Sequence, residues 1–220
     1  MNKSPRIKDK LPQAGESIFA SMTKLSNDCN AINLAQGFPE EDAPAELIQY
    51  IQKALESGYN QYAPMPGILE LRHAIQNKWQ QEYQVTIDIE NEIQVTAGAT
   101  QAIFTALQAI AHPGDEVIVF TPAYDSFIPG IELSGAKAIS VPCYAPNFDP
   151  DWEAFEAALN KNTRAVLVNT PHNPSGRCFS KSDWEKLIDL TQPYESIIIS
   201  DEVYEPLVFD DKKHLSILSF

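Results

Sequence analysis

A chain of 220 residues can bury one substantial core, and 44% hydrophobic with 21% charged residues is the balance of a globular domain rather than a disordered one. A formal net charge of −14 argues against nucleic acid and anionic membrane as partners, since both select basic surfaces. The basic start Met1-Asn-Lys-Ser-Pro-Arg-Ile-Lys8 is followed by no apolar core of a signal peptide, no run reaches membrane-spanning length, and Cys29, Cys143 and Cys178 form no CxxC pair. A cytoplasmic chain with reduced thiols is expected.

Residues 1–40 read as an irregular arm containing Asn33-Leu-Ala-Gln-Gly37-Phe-Pro39. Pro44 and Gly58 then punctuate a helix with Leu47, Ile48, Ile51 and Leu55 on one face. A second helix is expected after Gly67, with Ile68, Leu71, Ile75 and Trp79 at helical spacing. From residue 92 onward, short apolar runs alternate with helical stretches. Strands are expected at 92–96, 116–120, 137–141, 165–169 and 197–200, and helices at 100–111, 125–133, 150–159 and 181–190. Ser180 is a suitable cap for the last helix, with Asp183 in its first turn. Such alternation predicts an α/β fold, a mostly parallel sheet with helices on both faces. The four histidines show no metal-site spacing and are expected in loops or at the surface.

Four segments place polar groups where strands end, the edge at which open α/β sheets bind ligands. Thr96-Ala-Gly98-Ala99-Thr100 joins a strand to a helix, a geometry that offers backbone N–H groups and the helix dipole to a phosphate; taken alone it is more often an ordinary glycine turn. Thr121-Pro-Ala-Tyr124 presents an aromatic ring on which a planar heterocycle could stack, though by itself a tyrosine there more often just fills a loop. Asn169 and Asn173 bracket Thr-Pro-His, and Pro174-Ser-Gly176 turns the chain at once, which also describes a simple turn. Asp201 follows Ile197-Ile-Ile-Ser200, so its carboxylate leaves a buried strand and needs a cation or strong donors unless it merely caps the next turn; Tyr204 lies three residues on.

The order of these segments, from Asn33 through Asn60-Gln-Tyr62-Ala-Pro-Met-Pro-Gly67 to the last residue, resembles the fold-type I, class I/II aminotransferases that use pyridoxal 5′-phosphate (PLP). Within them it is most similar to the methionine aminotransferase and kynurenine aminotransferase (glutamine transaminase K) group. The resemblance implies a PLP-binding large domain over residues 41–220, with 1–40 as an N-terminal arm and start of a small domain. It implies that Gly98, Ala99 and Thr100 hold the phosphate, that Tyr124 stacks on the ring, and that Asn173 and Tyr204 bond the ring oxygen. Asp201 would hold the pyridine nitrogen protonated. Gly37, Asn169 and Asn173 would meet the substrate carboxylate. Tyr62 would reach the phosphate of a neighbouring subunit, which implies a homodimer working on an amino acid and a 2-oxo acid.

Two departures stand out. The family's Asn-Pro-Thr-Gly reads Asn173-Pro-Ser-Gly176, which keeps the turn and a hydroxyl. The family's Ser-x-x-Lys segment, which carries the Schiff-base lysine, and its later arginines would follow Ser219-Phe220, so the large domain is expected to be incomplete. None of the twelve lysines matches that position, and Lys212 and Lys213 sit in a polar turn where water keeps them protonated. The expectation is transamination of a large neutral, methionine-like amino acid by family, with this polypeptide alone inactive. A carbon–sulfur β-lyase of the same fold and a non-catalytic pseudo-subunit are the alternatives. An aminotransferase-like regulator would need a basic DNA-binding module ahead of the domain, and a nucleotide-binding Rossmann enzyme would need a G-x-G-x-x-G turn.

Overall fold

A computed structural model describes residues 8–11, 15–37, 39 and 41–220. Five strands form one sheet: β1 (Glu116–Thr121), β2 (Lys137–Tyr144), β3 (Asp149–Pro150), β4 (Thr163–Asn169) and β5 (Ile197–Asp201), in the order β3-β2-β1-β4-β5. All neighbouring pairs run parallel except the short β2–β3 ladder.

Side-chain alternation along β1 and β4 builds two cores. Val117, Val119, Ala165 and Leu167 point to one face, where they meet Ile103 and Leu107 of α4 (Ala99–Ile110) and Phe127 and Ile131 of α5 (Phe127–Leu133). Ile118, Phe120, Val166 and Val168 point to the other, against Phe155 of α6 (Trp152–Ala158) and Trp184 and Leu187 of α7 (Lys181–Thr191). Strands buried on both faces must be apolar at consecutive positions, which is why these runs lack the alternation of a half-exposed strand. Each buried Val, Leu, Ile or Phe among them contributes on the order of 1.5–3 kcal/mol.

Local signals set the helix starts. Asp151 accepts the Ala154 N–H at α6, and Ser180 and Asp183 form a reciprocal capping box at α7. Arg177 pairs with Asp183 at 2.9 Å and with Asp149 at 3.0 Å, tying that cap to β3. α6 therefore begins two residues later than expected, because Pro150 is spent on β3, opposite Cys143.

Two expectations need correction. Residues 1–40 are not irregular throughout, since α1 spans Ile18–Asp28, started by Ser17 accepting the Ala20 N–H at 3.2 Å. Residues 92–96 do not form a strand. The Val95 N–H donates to the Pro66 carbonyl (3.0 Å) and the Gln94 side chain to that of Met65 (2.7 Å), so the segment lies along a loop instead of a ladder. Gly67 permits this approach at φ +105°, where a Cβ would collide with the Val95 side chain. Buried Arg72, on α3 (Leu69–Tyr83), fixes the same turn by donating to the Gly67 carbonyl at 3.2 Å. Finally, α2 (Ala45–Glu56) forms as expected, yet its apolar face is about half exposed and buries no residue among those described. No helix of the described residues is long and apolar enough to cross a membrane.

Candidate active site

The chain steps from β1 to β2 on one side and then to β4 on the other, so the connections diverge at the carboxyl end of β1, a topological switch point. The segments leaving β1, β4 and β5 meet there with the start of α4. Together they enclose a cavity of about 200 Å³ lined by Ala99, Thr100, Ile103, Tyr124, Phe127, Asn169, Asn173, Asp201, Val203 and Tyr204.

α4 starts at Gly98 (φ +87°) with no side chain capping its first turn, so the leading amides keep their donors, and Gln101 turns back to accept the Ala97 N–H instead. The Tyr124 ring stands edge-on to Phe127 at 5.7 Å, and burial raises its phenol above the ordinary range, keeping it neutral.

Asn169 is the hub of the cavity floor. Its Oδ1 accepts the Asn173 N–H at 2.7 Å, while its Nδ2 donates to the Asp201 carbonyl at 3.1 Å. Asn169 lines the cavity, 6% exposed, with one N–H and one oxygen lone pair of its amide taken by these bonds. Asn173 Nδ2 in turn donates to the Tyr204 hydroxyl oxygen at 3.3 Å, linking the loops after β4 and β5.

Asp201 accepts the Val203 N–H at 3.2 Å and has no cation among its partners in the described residues. Burial, the main cause, and the Glu202 charge raise its pKa, outweighing the Val203 bond that lowers it. The carboxylate therefore sits where a bound positive charge would be favoured. That unmatched acid, the open amides of α4, the ring of Tyr124 and the donors of Asn173 and Tyr204 fit a planar, phosphorylated and protonated heterocycle.

Gly37 and Tyr62 stay outside this group. Gly37 is exposed in the arm and Tyr62 is fully exposed, and neither lines the cavity. No lysine is among the lining residues either, and Lys212 and Lys213 lie in an exposed turn after Asp210 and Asp211. Ile103, Phe127 and Val203 join the lining although no motif marked them, and His172 stands just outside it. His172 Nε2–H donates to the Pro122 carbonyl at 2.8 Å and Nδ1 accepts the Ser175 hydroxyl at 2.6 Å, pinning the Tyr124 loop to the Asn173-Pro-Ser-Gly turn. Burial lowers its pKa, in keeping with a neutral ring. Its place between the two asparagines was the only available signal.

Comparison with known proteins accords with this geometry. Residues 30–220 match the family described as aminotransferase class I and II. The methionine aminotransferase of Escherichia coli K12 is 43% identical over the whole chain, which covers 57% of that protein. A probable N-succinyldiaminopimelate aminotransferase of Mycobacterium tuberculosis is 39% identical over 93% of the chain and 52% of its own length. The crystal structure of the Escherichia coli methionine aminotransferase superposes with a TM-score of 0.94, covering 99% of this chain and 57% of that one. The chain thus spans little more than half the length of these relatives, and it belongs to the class I and II aminotransferases.

Proposed function

We propose that this chain provides the cofactor-holding face of a PLP-dependent transaminase for a large neutral, methionine-like amino acid and a 2-oxo acid. The observation that carries the reading is Asp201, a cation-free carboxyl disfavoured by burial, in one cavity with Tyr124, Asn173, Tyr204 and the start of α4. The methionine-like preference draws support from the 43% identity with a methionine aminotransferase.

When bound, the cofactor supplies an electron sink through which an amino group is exchanged with a 2-oxo acid. The chain's residues hold and orient. The first amides of α4, from Ala99 and Thr100, bind phosphate at the positive end of the helix, worth about 0.3–1 kcal/mol per charge. Tyr124 stacks on the ring. Asp201 keeps a proton on the ring nitrogen by charge pairing, and Asn173 and Tyr204 bind the ring oxygen. Asn169 acts through the groups it positions, Asn173 and the Asp201 backbone. Tyr62 and Gly37 would act only where a second subunit and the substrate approach.

Pyridoxine 5′-phosphate, which has no aldehyde, isolates this non-covalent binding. Titrated into the 220-residue polypeptide and followed by tryptophan fluorescence, it should bind with an affinity that Asp201→Asn lowers about 10- to 100-fold. Equal affinity in the two proteins would refute the proposal. Because no lysine lines the cavity, PLP should bind within about threefold of this analogue, and the polypeptide should not transaminate methionine.

A further inference from the structure

Behind Asp201, on the side away from the cavity, lies a second group of polar residues that the cofactor-binding role does not use. Glu202 does not line the cavity that Asp201 and Tyr204 share. Its carboxylate accepts three donors: Nε2–H of His214 at 2.7 Å on Oε2, and the Ser200 hydroxyl at 2.7 Å and the Ile217 N–H at 3.2 Å on Oε1. The pair is nearly out of solvent, with side-chain exposures of 4% for His214 and 12% for Glu202. The segment it closes is held at two other points, Glu205 by Lys78 and Tyr83 of α3 and the Tyr204 hydroxyl by Asn173, and is otherwise open. Val203, Leu207 and Phe209 are more than half exposed, and no helix or strand forms between β5 and residue 217. The far end of the loop is anchored independently, because Trp184 of α7 donates its indole N–H to the Leu215 carbonyl at 2.9 Å and Ser216 is fully buried.

We infer that Glu202 and His214 are positioning residues that brace the Asp201–Tyr204 segment from behind and set the spacing of its two cavity-facing groups. The inference rests on the proposed roles of Asp201 and Tyr204. Removing His214's donor leaves Glu202 Oε2 without a partner among the described residues in a nearly dry site, a loss that the intact pair avoids by holding the two segments in register. His214 Nδ1 is buried without a partner, which makes the single bond from Nε2 the side chain's one polar attachment. Packing alone would be satisfied by any ring of this size, since the ring also meets Tyr83 edge-on at 6.4 Å.

Two variants of the full 220-residue chain separate a brace from a filler. His214→Phe keeps the ring and removes the donor, whereas His214→Gln keeps a donor and loses the ring. Native-state hydrogen exchange is read at the amides of Glu202, Val203 and Tyr204, and pyridoxine 5′-phosphate affinity by fluorescence titration. His214→Phe should speed exchange at those amides about tenfold and weaken the analogue about tenfold, while His214→Gln stays within about threefold on both. Faster exchange confined to residues 214–217, or a glutamine variant as impaired as the phenylalanine one, overturns the inference. If His214→Phe does not fold, Ser200→Ala removes a different donor to the same carboxylate and should speed the three amides about threefold; unchanged exchange there overturns it equally. Failure of the analogue to bind the unsubstituted chain would instead count against the cofactor reading, and the exchange data would still decide the brace.

Discussion

β4 and α2 lie at opposite ends of a gradient in burial. Six of the seven residues of β4 are buried and the strand ends at Asn169 in the cavity floor, whereas α2 has a well-formed apolar stripe and buries nothing. The site residues divide the same way. Those at the ends of β1, β4 and β5 are brought together by a core already in place, and those on the segments before α3, Gly37 and Tyr62, are left apart from it. The strand ends bring their own residues together, whereas the segments before α3 do not bring Gly37 and Tyr62 to the cavity.

The sharpest way to break that contrast is Trp184→Ala. Its side chain is wholly buried, so the loss should be about 3–5 kcal/mol, read from urea or thermal unfolding, with the cavity lost at the same time. Gly67→Ala should cost about 1–3 kcal/mol, because the position has φ +105° and no room beside Val95, and trimming Val95 to alanine should recover only the steric part.

Asp201→Asn tests the site end of the gradient and should stabilise the unliganded chain near neutral pH while harming cofactor binding. The sign follows from the direction of the shift. Burial raises the folded-state pKa of Asp201, so the folded chain keeps a proton that the unfolded chain has released. Its contribution to stability is therefore present below the ordinary carboxylate range and is lost as pH rises through the raised value. Urea midpoints measured across that range should fall less steeply in Asp201→Asn than in the parent, and parallel curves would show that Asp201 is not disfavoured. The smallest effect is expected on α2, where Leu47→Ala should change stability by less than about 0.5 kcal/mol. A larger loss would mean that this face is covered in solution.

The sheet was legible because its strands are apolar on both faces and closed by turn residues; 116–120, 137–141, 165–169 and 197–200 all fall within observed strands. Residues 92–96 misled because Ile93 and Val95 have a strand's alternation, while sequence alone does not reveal which backbone will accept their hydrogen bonds. α1 was hidden by the turn-forming residues on either side of Ile18–Asp28, although Ser17 stood as its cap. In the cavity, Asp201 was readable because it ends a strand, and Tyr124, Asn173 and Tyr204 because they lie within four residues of one. His172 and Glu202 were not, since their importance lies in partners 50 residues upstream at Pro122 and 12 residues downstream at His214.

Asn169 also bears on how the protein ages. Its amide oxygen accepts from the Asn173 backbone and its amide nitrogen donates to the Asp201 carbonyl, so the two ends are not interchangeable. Hydrolysis of that amide to an acid would set one oxygen against another and add negative charge beside a carboxyl already disfavoured by burial. The strand end that holds Asn169 shields it from water, and so it protects the bond chemistry on which the cavity floor depends as well as its shape.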